Sequence, residues 1–143
     1  MNQRTILKGV PSMALATQKQ IESLAEKLTT CADALHERLM VAIRNEAISR
    51  PQAQAMLQDE VLLRQQANAL YIDAANCVVQ GLEESQKELI HVIDTAETRI
   101  RTFRKIASVI DVLADLLVLA AAVYSAKPGP IVAALNELKR DVR

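Results

Sequence analysis

Two short strings in this sequence set a carboxylate three residues before a histidine: Asp33-Ala-Leu-His36 and Glu88-Leu-Ile-His91. On a helix that spacing puts both side chains on one face. Helical di-iron proteins draw their ligands from two such strings plus two further glutamates. The elements that carry the strings decide against a shared ion. Helical rise places His36 ~18 Å and His91 ~50 Å from the end of the molecule where the apolar residues gather. Both histidines are therefore expected to face solvent, and no metal is expected.

Asp111 and Asp115 lie four apart on one helical face. Paired carboxylates can do acid–base work or hold a cation. No glycine-rich loop, third ligand or histidine stands near them in sequence, so they read as the last solvated turn of a helix, repelling each other mildly. Arg99, Arg101, Arg104 and Lys105 surround Phe103. Such a cluster could hold a phosphate or a headgroup, but the side chains diverge around the helix, and Glu97 can pair with Arg101 at i,i+4.

No nucleophile–base–acid set, phosphate loop, CxxC pair or GxSxG motif occurs. The expected function is non-enzymatic, without a cofactor. Cys31 and Cys77 should lie ~26 Å and ~39 Å from the apolar end, an offset greater than a disulfide spans. They read as buried, reduced thiols of an intracellular, cytoplasmic protein. No secretory signal is expected at the start.

The elements that position these residues are helices. The chain has 143 residues, 50% hydrophobic and only 2% aromatic, with three Gly and four Pro. This composition favours a single all-α domain over 1–143. Lys+Arg and Asp+Glu are both 17, so no global charge attracts nucleic acid, and the aromatic shortage leaves no surface for stacking bases.

The longest pattern runs from Leu89 to Tyr124. One row reads Leu89, Ala96, Phe103, Ile110, Leu117, Tyr124; a second reads Ile93, Ile100, Ala107, Ala114, Ala121. Rows four apart share a helical face. The periodicity predicts helices over 13–48, 51–80, 83–126 and 131–142. Ser12 caps the first and Ser85 the third, 1–11 is an irregular lead-in, and Lys127-Pro128-Gly129-Pro130 makes a turn. The alternative to a break at 81–85 is one helix over 51–126, ~110 Å long.

Folded antiparallel, three long helices run up, down and up, with the short C-terminal helix folded back. Leu39–Ile43, Met56–Leu63 and Leu116–Val123 then share one apolar pole. Arg99 falls on the inner stripe, where an unpaired charge is costly, and at its height Asp73 is the expected partner. At the pole, Leu116, Leu119, Val123, Ile131 and Leu135 are the expected contact residues, with Leu119 and Val123 left uncovered.

These features predict an interaction or assembly module. Its pole is closed by a second copy or by another helical protein, not by nucleic acid. The alternative is a membrane-associating protein, a small pore-former or lipid-facing subunit, using residues 106–138. Ile106–Ala126 is long enough to span, but each central Asp costs ~2.5–3.5 kcal/mol against ~3–6 returned by all its large aliphatics. Leu116–Ala126 alone is too short.

Overall fold

Thr17 opens the first helix through a reciprocal cap: its hydroxyl accepts from the Gln20 amide N–H, and the Gln20 side chain accepts from the Thr17 N–H. The computed structural model describes residues 13–143; the expected lead-in over 1–11 and the Ser12 cap lie outside them. Helix α1 spans Gln18–Arg44, starting later than expected because residues 13–16 bond to a distant loop instead. The Ala14 N–H donates to the Glu84 carbonyl at 2.8 Å, and the Leu15 carbonyl accepts from the Val79 N–H at 2.8 Å.

Helix α2 spans Arg50–Ile72, capped by Ser49, with Pro51 in its first turn. It stops well short of residue 80. A single 3-10 turn follows at Ala74–Asn76, and the chain then crosses the end of the bundle, burying Cys77, Val79 and Leu82. Ser85 caps helix α3, Gln86–Thr102, by accepting from the Glu88 N–H at 3.1 Å. Helices α1 and α2 are antiparallel: His36 meets Glu60, and Asp33 meets Arg64. Helices α1 and α3 run parallel, joined by Lys27–Asp94 at 2.9 Å, by Glu37–Arg101, and by the Gln86 amide on the Gln20 carbonyl.

The helix expected over 83–126 is two helices. Phe103 (φ −59°, ψ 131°) and Lys105 (φ −86°, ψ 126°) are extended, and helix α4 begins afresh over Ile106–Tyr124. No glycine or proline marks the elbow. The guanidinium of Arg38 on α1 does: it donates to the carbonyls of Ile100 at 3.1 Å and Arg104 at 3.3 Å. It thereby supplies donors that the interrupted helix end lacks.

Beyond the elbow the chain reverses. Helix α4 returns along α2 to the end where α2 finishes, and there the Tyr124 hydroxyl donates to Asp73 at 2.6 Å. Helix α5, Pro128–Asp141, doubles back on α4 and reaches α3, with Lys139 on Glu84 at 2.8 Å. The result is five helices with no β-strand among the described residues. Leu116–Val123 lies at the Asp73 end, not beside Leu39–Ile43 as the three-helix arrangement required.

The elbow also rotates the buried face. In α3 the expected residues Leu89, Ile93, Ala96 and Ile100 are buried. In α4 the rows do not carry through: Ala107, Ala114, Ala121 and Tyr124 are exposed, and Val109, Val112, Leu116, Leu119 and Val123 fill the core. Three residues outside the helix discard the 100° step per residue on which a heptad row depends.

Candidate functional site

Asp115 on α4 faces α5, where Glu137 and Asp141 stand four apart. Each of the three offers a carboxylate oxygen, and these oxygens all lie within 4.8 Å of one another. Asp115 Oδ2 is buried without a hydrogen-bond partner. Burial, then the Asp141 carboxyl, then the charges of Glu137 and Asp111, push the Asp115 carboxyl up to about 7. Three carboxylates at this spacing could surround a divalent cation or share a proton. Sequence reading paired Asp115 with Asp111 only; the matching i,i+4 spacing of Glu137 and Asp141 was the available signal, and it required knowing that α5 folds onto α4.

The raised Asp115 group fixes a pH dependence. The folded state holds this proton up to about pH 7, whereas an unfolded aspartate releases it near 3.8. Between those values the folded state binds more protons, so stability falls as pH rises through the window and the loss is complete above it. Asp115→Asn should therefore stabilise the protein at pH 8 by on the order of 1 kcal/mol after solvent screening. The gain should shrink toward pH 4. Urea melts across this range check it; a constant or destabilising effect would show that the carboxyl carries no strain.

The sequence-derived residues fall elsewhere. His36 and His91 are exposed, but His36 Nδ1 lies 2.9 Å from Glu60 Oε1, and Asp33 accepts from Arg64 at 2.7 Å. Asp33 and His36 thus serve two separate partners. Glu97 pairs with Arg101 at 3.5 Å. Cys31 and Cys77 are both buried and free, and burial raises the Cys31 thiol to about 12.

The Arg99–Asp73 pair does not form. Asp73 caps α2 at the far end, where it accepts from Tyr124, while Arg99 donates to the Val142 carbonyl at 2.7 Å and lies 5.9 Å from the Phe103 ring centre. The elbow separates their heights. Leu116, Leu119, Val123, Ile131 and Leu135 are all buried within the single chain. Helix α5 covers the residues expected to be left open.

The uncovered apolar surface lies one face over, between α2 and α4. Gln65, Gln66 and Ala69 of α2, with Ala120, Ala121 and Tyr124 of α4, line a groove of ≈350 Å³. Leu62, Ile72 (70% exposed) and Val118 (58% exposed) stand three or four residues from the lining positions. No Lys or Arg occurs within α4. This face presents mainly apolar surface. No family model, no curated protein and no solved structure matches the chain.

Proposed function

We propose that this protein is a non-enzymatic helical assembly module whose docking surface is the α2–α4 face, closed by a second copy of the chain. What supports the reading is one observation: Leu62, Ile72, Val118 and Tyr124 are exposed around an apolar groove, while the residues beneath them are fully packed. Exposed apolar patches on the order of several hundred Å² mark association sites. The five-helix bundle supplies a rigid frame for it.

Sedimentation at micromolar concentration tests this, with Leu62→Glu and Val118→Glu alongside. Both side chains are exposed, so helicity should stay unchanged while self-association is lost. A wild-type chain that remains monomeric at high micromolar concentration overturns the reading.

One observation favours a second reading, membrane association through residues 106–138. Helix α4 is long and apolar enough to cross a bilayer, and only 44% of its most apolar window is buried. The same variants separate the readings: a monomer that floats with vesicles, and stops doing so in Val118→Glu, favours the bilayer.

A further inference from the structure

The chain is neutral overall, but its charge is not evenly spread. At the end of the bundle where α1 gives way to α2 and α3 bends into α4, Arg44, Arg50, Arg104 and Lys105 are all exposed. None of the four makes an ion pair among the described residues. The nearby acids cancel them only in part: Glu37 is taken by Arg101, leaving Glu46 in the α1–α2 loop and Asp111 in the second turn of α4. The N-termini of α2 and α4 open at this end and the C-termini of α1 and α3 close there, so the helix dipoles largely offset, while the Arg38 guanidinium occupies carbonyls at the end of α3. The opposite end mixes the two signs, Asp73, Glu83, Glu84 and Glu88 standing with Lys19, Lys87 and Lys139.

Aliphatic side chains stand among these cations. Val41 and Ile43 are exposed on different sides of the last turn of α1, Val41 next to Arg38 and Arg101, and Ile48, Phe103 and Ile106 at the same end are half-buried. Single-stranded nucleic acid is held by aromatic stacking between its phosphate contacts; this surface offers branched aliphatics instead. Cations around a shallow apolar tip fit headgroup phosphates with the acyl boundary just beneath.

We propose that this elbow end docks the protein on an anionic lipid surface, with Arg44, Arg50, Arg104 and Lys105 on headgroups and Val41 and Ile43 inserted between them. The docking surface is distinct from the α2–α4 face. It goes beyond the membrane reading, since it does not use residues 106–138, and it requires no helix to leave the bundle.

Flotation with vesicles of phosphatidylcholine alone, and of phosphatidylcholine with phosphatidylserine, tests it on the full chain. Binding to the anionic vesicles should be tighter by about tenfold or more and should weaken with salt. The double variant R104E/K105E should lose that preference, and V41S/I43S should weaken binding to anionic vesicles severalfold. Both should keep wild-type helicity. The control K19E/K87E, at the other end, should bind as wild type.

Equal binding to both vesicle types overturns the proposal. So does binding that survives R104E/K105E and is lost in Val118→Glu, which would place lipid on α4. Tighter binding to a short DNA duplex than to anionic vesicles, abolished by R104E/K105E, would overturn it in favour of nucleic acid.

Discussion

Leu119→Glu is expected to unfold the protein, and Val118→Glu, one residue earlier, to leave it folded. Leu119 is fully buried between α4 and its neighbours, whereas Val118 is 58% exposed. Truncating a buried leucine to alanine already costs about 2–5 kcal/mol. A glutamate there adds a charge in the same space, with no Lys or Arg on α4 to pair with it. The total should approach the whole stability of a domain of this size, about 5–15 kcal/mol. Val118→Glu trades an exposed apolar group for a solvated one and should stay within about 0.5 kcal/mol. Thermal melts followed by circular dichroism decide between them. Two similar melting curves would mean that the helix is rotated from its placement here, and that the residues named for the docking face are wrong with it.

The contrast between those neighbours locates what the sequence could and could not reveal. Helix content and the Ser85 cap are local properties; Thr17, which caps α1, was expected inside the helix instead. Pro51 and Ser85 are recognisable from residue types alone, and the apolar stripe of α3 follows its period; Pro128-Gly129-Pro130, expected as a turn before a helix over 131–142, instead form the first turn of α5. The elbow is not local. Nothing at Phe103-Arg104-Lys105 forbids a helix; the break is held by a guanidinium from residue 38. Missing it had two effects. The face of α4 was assigned from rows that do not continue past Thr102, so Leu119 and Val123 looked uncovered while Ala121 and Tyr124 were placed on the sheltered stripe. The direction of α4 was also reversed, which sent Arg99 toward Asp73. The acidic trio was hidden for the same reason, since it exists only after α5 folds back on α4.

Arg64→Ala is expected to cost about 3 kcal/mol, whereas Glu60→Met should cost little or nothing. Glu60 is the one buried charged residue among those described, 6% exposed. Its two oxygens are divided between α1 and α2: Oε1 lies 2.9 Å from His36 Nδ1, and Oε2 accepts from Arg64 Nε at 3.0 Å. Arg64 reaches on to Asp33 at 2.7 Å, so one guanidinium links the two helices. Removing it leaves the carboxylate desolvated with the histidine alone. Replacing the carboxylate by methionine removes both the charge and its desolvation cost, keeps a similar volume, and leaves Arg64 paired with Asp33 near solvent. Denaturant melts of the two single variants and of the double variant measure the difference. If Glu60→Met is as harmful as Arg64→Ala, the carboxylate contributes more than its burial costs, and the network itself holds the α1–α2 hairpin. If both are neutral, Glu60 is more hydrated in solution than its packing between α1 and α2 implies.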